Sequence, residues 1–330
     1  MSGSLIAVAR TPWAPRHTAL DGWRPEDLLT TALRAVVERA GVEAGSIDRV
    51  LVACDTGVGA QDVNIGRRAV LQADWTTTPA LTVDGHGATG VALVGLAAQL
   101  PGLTVVAGVD ASSMVPPGAG LVRDYGRPTL DQPEHRWLDS MATAHGLDAA
   151  MLDAAVQAAL DAAPRTTPAI VALDPSGPTA DTEVTQEAGD PFQTDGVVAS
   201  HHLAPWADGA VAVLIGKGPG RAIDTSTFDA VPDDELIDRL IAPRNGLPVL
   251  VVDTSAVIAA LADPLPAQVA SPLAIGSTPS CDGLRVLADA ASSMDGAFEI
   301  RTRGGHGQLA TVAVGGAHHP VDASKAPEPT

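Results

Sequence analysis

Apolar and polar residues follow two different periods along this chain, and together they predict an alternation of helices and strands. Between residues 25 and 40, apolar side chains recur at helical spacing, with Leu28, Leu29, Leu33, Val36 and Val37 on one face. Short, continuous apolar runs between Gly, Pro and Asp indicate buried strands. The pattern predicts helices over 25–40, 64–73, 91–100, 148–163, 233–241, 256–262 and 283–291, and strands over 5–9, 49–53, 81–84, 103–109, 208–215, 249–252, 298–301 and 309–314.

Two stretches of the chain repeat the same order of predicted elements. Residues 81–109 read as strand, small-residue turn, apolar helix and strand, and residues 273–300 have the same order. This repetition suggests two similar α/β halves with layered αβαβα packing. Residues 112–196 differ, because they are rich in Pro, Gly, Asp and Thr.

These shifts in composition suggest how the chain is divided. We expect an N-terminal half (1–111), a shortened covering insertion (112–196), the remainder of the core with mainly the C-terminal half (197–316), and a disordered tail (317–330).

Composition and charge exclude several classes of function. The 330 residues include 45% hydrophobic residues, enough for a sizeable core, and carry a formal net charge of −19. This charge argues against binding to nucleic acids or to anionic membrane surfaces. The two cysteines, Cys54 and Cys281, form no disulfide framework, so a reducing cytoplasm is expected. The sequence also predicts neither a signal peptide nor a membrane-spanning helix.

Several short motifs in a fixed order resemble the thiolase family over about residues 4–316. They are Ala9-Arg10-Thr11-Pro12, the turn at 82–90, the strand and turn at 105–114, Asp208-Gly209-Ala210 and the glycine-rich loop 304–307. The resemblance implies the thiolase fold, with two similar βαβαβαββ halves in an αβαβα arrangement and a covering insertion. It also implies acyl transfer on coenzyme A thioesters.

The resemblance implies a specific set of catalytic residues, and this chain lacks them. In the family, a cysteine thiolate at a helix N-terminus attacks the thioester, a histidine activates it, and a second cysteine moves a proton. Here Gly87 stands at the nucleophile position and Ser277 at the histidine position. Ile300 or Arg301 occupies the position of the second cysteine. Thr254-Ser255 occupies the position of the Asn-Glu pair that anchors a catalytic water.

Other residues are weaker candidates for an altered reaction. His86 and His306 lie in the two turns that face the family's active site, and Cys281 begins a predicted helix, where a thiolate is stabilised. The adjacent His201 and His202 are expected to point to opposite sides of an extended segment and therefore to bind no metal. We also expect Arg301 to reach into the former active site and pair with Asp84 or Asp282. Together with His86, Ser277 and His306, it should line one small cavity.

The sequence therefore favours a non-catalytic homologue in acyl-CoA or lipid metabolism. No cofactor is expected, and even a coenzyme A thioester is doubtful, since the insertion has few basic residues (Arg123, Arg127, Arg136 and Arg165). Residues 81–83 predict an edge-strand interface for a homodimer, or for a heteromer with a catalytic thiolase-like or acyl-CoA-binding protein. The alternatives are a thioester-acting enzyme of this family with altered residues, and an ordinary acyltransferase.

Overall fold

The strands form one hydrogen-bonded path in the computed structural model. The model describes residues 3–116, 119, 134–173, 176–185, 187–244, 246–305 and 307–317. Its strands are β1 (Ser4–Arg10), β2 (Ala14–Pro15), β3 (Ile47–Ala53), β4 (Ala80–Val83), β5 (Leu103–Ala111), β6 (Ala207–Gly216), β7 (Arg221–Ala230), β8 (Val249–Val252), β9 (Phe298–Arg303) and β10 (Gln308–Val314). Their order is β4-β3-β5-β6-β1-β7-β10-β9-β8, and β2 pairs with β6.

The path divides into two sheets at a narrow seam. Strands β1 and β7 pair only through Ser4 with Ala222 and Leu5 with Arg221. On one side of this seam, β4, β3 and β5 run parallel to one another. On the other side, β8 and β9 run parallel, and β7, β10 and β9 are antiparallel. The carboxyl ends of β4, β3 and β5 therefore meet at one edge.

Helices cover both sheets and also separate them. The helices are α1 (Pro25–Ala40), α2 (Ile65–Gln72), α3 (Thr89–Gln99), α4 (Glu134–Ala144), α5 (Ala149–Ala162), α6 (Asp233–Ile241), α7 (Ala256–Leu261), α8 (Pro272–Ile275) and α9 (Asp282–Ser293). Helices α3 and α9 share one core with residues of both sheets. Helices α1 and α2 cover the outer face of the first sheet, and α6 packs near the second. The predicted layered α/β architecture is thus confirmed.

Local sequence explains why the main helices begin and end where they do. Pro25 occupies the first turn of α1, where a missing N–H is harmless, and Gly41 ends that helix with a φ of 64°. The side chain of Asn64 accepts a hydrogen bond from Arg67 N and so caps α2. Residues 282–290 of α9 are all buried, as the position of this helix between two sheets requires, and its buried charged residues Asp282, Arg285 and Asp289 lie in ion pairs.

The inserted segment packs against the second half of the core. Helices α4 and α5 contribute Leu138 and Leu152 to a core that they share with Val257 of α7 and Leu273 of α8. No helix of the described residues is long and apolar enough to cross a membrane.

A buried ionic network ties the end of the insertion to the core. The Arg10 guanidinium donates two hydrogen bonds of 2.7 Å to the Asp181 carboxylate and one of 2.7 Å to Asp289 Oδ1 in α9. All three side chains are fully buried. A paired buried arginine of this kind is strongly held, because losing one partner leaves an uncompensated charge.

The internal repetition inferred from the sequence is partly wrong. Leu273 was expected to begin a strand, but it lies in the short helix α8, because Pro272 and the Ser271 side chain start a helical turn there. The structure also contains α4 and β7, which the sequence pattern did not predict. The predicted tail lies outside the described residues from position 318 onward.

Candidate functional site

The turn between β4 and α3 is in direct contact with the glycine-rich loop. Gly305 N–H donates a 2.6 Å hydrogen bond to the carbonyl oxygen of His86. Gly87 has a φ of 109°, and an ideal Cβ built on it lies 2.6 Å from the Cα of Gly304. Real Cβ atoms do not approach backbone atoms so closely. The position corresponding to the nucleophile is therefore shaped for glycine and has no space for a side chain.

A carboxylate holds this turn in place. Asp55 lies two residues beyond the end of β3 and accepts hydrogen bonds from Gly87 N (2.5 Å) and Thr89 Oγ (3.0 Å). An acidic group is stabilised here because free N–H groups and the helix dipole meet at the N-terminus of α3. Burial nevertheless raises the pKa of Asp55 to about 7, although these hydrogen bonds oppose the rise.

The loop that contains Ser277 also reaches this turn, and Ser277 itself has a structural partner. Gly90 N–H donates to the carbonyl oxygen of Ser280 at 2.9 Å, which brings the loop against α3. Ser277 Oγ donates to Asp282 Oδ2 at 2.5 Å, and Thr278 N–H donates to the other oxygen of this carboxylate at 3.2 Å. Ser277 thus binds the side chain of the first residue of α9 and is only 2% exposed.

Arg301 does not enter the former active site, and the expectation that it would pair with Asp84 or Asp282 is wrong. Its guanidinium donates to Glu299 Oε1 at 2.6 Å and to carbonyl oxygens at the end of α6. Side chains alternate along β9, so Arg301 faces α6 while Thr302 faces α9. The arginine instead binds the free carbonyl groups that end a helix.

The residues that stand for the Asn-Glu pair have a capping role. Ser255 Oγ donates to Asp253 Oδ1 at 2.8 Å and accepts from Ile258 N at 3.3 Å, which caps α7. Thr254 accepts a hydrogen bond from Ala204 N–H through its carbonyl oxygen. These contacts explain the local sequence without any catalytic role.

The remaining candidates do not assemble into one described cavity. Cys281 is fully buried, and burial raises the pKa of its thiol well above the ordinary value, so it stays protonated. His86 is exposed, in contrast to the buried Ser277. His306 lies outside the described residues. Two described cavities lie elsewhere, one between α5 and α7 and one beside Asp139.

His201 and His202 converge on one carboxylate, contrary to the expectation that they would diverge. They lie in a short 3-10 turn, not in an extended segment, and both Nε2 atoms lie 2.9 Å from Asp153 Oδ1. Such a cluster has the spacing of a metal site. However, Nδ1 of His201 accepts from Gly189 N–H, and Nδ1 of His202 accepts from Ala199 N–H.

These backbone contacts decide what the histidines can bind. A neutral imidazole whose Nδ1 accepts a hydrogen bond must carry its proton on Nε2. Both Nε2–H groups therefore donate to Asp153, and neither has a lone pair for a metal. Metal-binding histidines show the opposite arrangement, in which the second ring nitrogen donates. The hydrogen bonds of the cluster thus join α5 to the turn before β6.

The sequence reasoning missed Asp55 and a second acid, Asp110, which is the penultimate residue of β5. Asp110 is 3% exposed, and its Oδ1 has no hydrogen-bond partner among the described residues. Burial raises the pKa of Asp110 to about 7, while hydrogen bonds from Gln61 and Ala111 oppose the rise. The available signal was positional, because polar residues at the carboxyl ends of parallel strands commonly form sites.

The N-terminal part of the chain is similar to thiolase sequences. The profile of the family "Thiolase, N-terminal domain" matches residues 4–114. Steroid 3-ketoacyl-CoA thiolase FadA6 of Mycobacterium tuberculosis is 26% identical over 142 residues, 41% of this chain and 35% of that protein. The 3-ketoacyl-CoA thiolase of Bacillus subtilis is 29% identical over 119 residues, 34% of this chain and 30% of that protein. The chain thus spans about a third of the length of the curated relatives it matches.

Solved structures match nearly the whole chain. The acetyl-CoA acetyltransferase of Syntrophomonas wolfei superposes with a TM-score of 0.81 at 16% identity, over 96% of this chain and 99% of that one. Acat5 thiolase of Ascaris suum, in complex with coenzyme A, gives 0.80 at 14% identity over 96% and 100%. Human mitochondrial 3-ketoacyl-CoA thiolase, in complex with CoA, gives 0.79 at 16% identity over 96% and 98%. At these identities the likeness establishes the fold.

Proposed function

Because this chain belongs to the thiolase superfamily, we propose that it is a non-catalytic thiolase homologue that serves acyl-CoA metabolism as a subunit or a ligand-binding protein. One observation carries the proposal. The backbone of Gly304 fills the space into which a side chain at Gly87 would project. Covalent catalysis needs a nucleophile that can reach the thioester.

The neighbouring groups support the same conclusion. Ser277 is bound to Asp282, and the thiol of Cys281 is buried and protonated, so neither offers an anion to an acyl group. Among the described arginines of the insertion, Arg165 is paired with Glu183. The charge of Arg165 is therefore partly compensated by a carboxylate before any phosphate of coenzyme A binds.

The direct test is an assay of the purified chain with acetoacetyl-CoA and coenzyme A. We expect no thiolysis above a blank, because removal of a covalent nucleophile lowers turnover by several orders of magnitude. Turnover of about 1 per second, an ordinary enzymatic rate, contradicts the proposal. Calorimetry with acetyl-CoA then separates a ligand-binding protein from a purely structural subunit.

The exposed edge of the first sheet supports an assembly. Strand β4 ends the sheet, and Leu81 on this strand is 61% exposed. Val63, next to the Asn64 side chain that binds β4, is 77% exposed and has a φ of 54°, which is unusual for a β-branched residue. Unpaired strand edges with apolar residues invite pairing. We propose a homodimer, or a heteromer with a thiolase-like or acyl-CoA-binding partner, through β4.

Sedimentation tests this assembly. We expect a dimer at micromolar concentration that Leu81→Asp dissociates. Leu71→Asp is the matched control, since Leu71 is an exposed apolar residue of α2 at 45% exposure. A well-behaved monomer that recruits no partner, or equal effects of both variants, contradicts an interface at β4.

A thioester-acting enzyme with altered residues is the second candidate, and Asp55 is the observation that favours it. Its half-buried carboxyl group lies at the turn before α3, and a pKa of about 7 suits proton transfer at neutral pH. Exchange of the α-protons of acetyl-CoA with deuterated water tests this candidate. Enzyme-dependent exchange that Asp55→Asn abolishes favours it over the non-catalytic proposal.

A further inference from the structure

Asp55 and Asp110 lie side by side at the carboxyl edge of the first sheet. Strands β3 and β5 are parallel neighbours, and Ala53 pairs with Gly108. Asp55 and Asp110 lie two residues beyond Ala53 and Gly108, and they therefore face the same side of the sheet. That side carries α3 and α9, since Asp55 binds Thr89 of α3, and a Cβ on Gly108 would lie 2.6 Å from Cys281 Sγ. The two carboxyl groups thus share one space at the end of the strands.

The Asp110 carboxyl group lacks part of its hydrogen bonding. Gln61 and the Ala111 N–H act on this group, yet Oδ1 has no partner among the described residues. With the residue 3% exposed, bulk water does not compensate this oxygen. A buried carboxylate is costly unless it is paired or bound to a cation. The unpartnered oxygen therefore indicates a missing positively charged or hydrogen-bonding ligand.

The electrostatic surroundings select a positive ligand. Each acid also has a further negatively charged neighbour on an adjoining strand. Asp84, after β4, acts on Asp55, and Asp208 of β6 acts on Asp110. The thiols of Cys54 and Cys281 lie nearby and stay neutral, since burial raises the pKa of both. The N-terminus of α3 contributes about half a positive charge. That is too little to balance two carboxylates.

We propose that Asp55 and Asp110 together bind a hard divalent cation of the Mg²⁺ class at the carboxyl edge of β3 and β5. Carboxylate oxygens are the ligands that such ions prefer, and Mg²⁺ is commonly bound through one or two carboxylates while it keeps several waters. Asp55 is half-buried and adjoins the exposed Asp84 and His86, which gives hydrated ions a route to the site. The cation neutralises the pair and fixes the turn that Asp55 holds. This site does not rest on the non-catalytic role proposed above.

Calorimetric titration of the EDTA-treated full chain with MgCl₂ tests the proposal, and thermal melting follows the same titration. We expect saturable binding with one ion per chain and a melting temperature that rises with the concentration of Mg²⁺. In Asp110→Asn the affinity should fall by at least about tenfold, because one charged ligand is lost. Asp55→Asn, tested in parallel, should give the same loss.

Asp74→Asn provides the matched control. It removes one negative charge from a side chain that is 94% exposed, at a φ of 66° that asparagine accepts well. This variant should bind Mg²⁺ as the parent chain does. The proposal is overturned if no saturable binding occurs up to about 10 mM, well above the dissociation constants of weak protein sites. It is also overturned if Asp110→Asn and Asp55→Asn, both confirmed folded by circular dichroism, bind Mg²⁺ as tightly as Asp74→Asn does. Binding of methylammonium without binding of Mg²⁺ would likewise overturn it.

Discussion

Restoring a cysteine at the nucleophile position should not restore a thiolase. In Gly87→Cys the new Cβ meets the backbone of Gly304 at 2.6 Å, and the residue must adopt a φ of 109°. A non-glycine residue in so sparsely populated a region costs about 1–3 kcal/mol. Overpacking against a backbone that cannot rotate away costs about 1–3 kcal/mol more. We therefore expect Gly87→Cys to lose about 2–6 kcal/mol of unfolding free energy, which for a chain of this size lowers the melting temperature by roughly 3–9 °C.

Gly57→Cys is the control for adding a thiol without a clash. Gly57 is exposed, and an added Cβ meets nothing within 4 Å. Both variants are melted, titrated with a thiol reagent and assayed for thiolysis of acetoacetyl-CoA. Cys introduced at Gly57 should react quickly and leave the melting temperature unchanged, whereas the buried position 87 should react slowly. The reasoning fails if Gly87→Cys melts with the parent chain and cleaves the thioester.

Three further substitutions probe buried charges. The raised pKa of Asp110, about 7 against an ordinary 3.8, means that the native state binds more protons than the unfolded state between these values, so stability falls as pH rises through them. Asp110→Asn should remove up to about 4 kcal/mol of this decline in urea unfolding with EDTA present. Burial lowers the pKa of His202, so stability is lost as pH falls below about 6.5. His202→Asn keeps an acceptor for Ala199 N–H and should make the melting temperature depend less on pH in that range. Arg10→Met should cost about 3–5 kcal/mol of unfolding free energy, measured with urea. Arg165→Met, which breaks an exposed ion pair, should leave the unfolding free energy nearly unchanged.

Strong periodicity made most of the core predictable from the sequence. The helix at Pro25–Ala40 has a regular apolar face, a proline at its start and a glycine after its end, and its predicted bounds agree with the structure. Strand β7 was missed because it is mostly exposed and rich in Thr, Ser and Asp, so no apolar run marks it. Leu273 was misassigned because an apolar run of four residues fits a strand and a helical turn equally well.

The candidate site was less accessible to sequence reasoning, because it depends on contacts between distant residues. Gly87 could be recognised as a lost nucleophile, but the approach of Gly304 that closes its space is a tertiary contact. Asp55 is one of 39 acidic residues, and the sequence does not show that Gly87 and Thr89 donate hydrogen bonds to it. Arg301 was predicted to face inward because it was a candidate for the position of the family's second cysteine, and a shift of one residue along a strand reverses the face.

The buried contact between Arg10 and Asp289 constrains the order in which the chain can fold during synthesis. The two residues are 279 positions apart, so the first strand is made long before its partner leaves the ribosome. Closing so long a loop is slow, and segments that await distant partners are exposed to misassembly. The bond between Arg10 and Asp289 must therefore wait until α9 has left the ribosome, whereas Asp181 can bind Arg10 earlier. A chain truncated before α9 should depend on chaperones even though most of its strands are present.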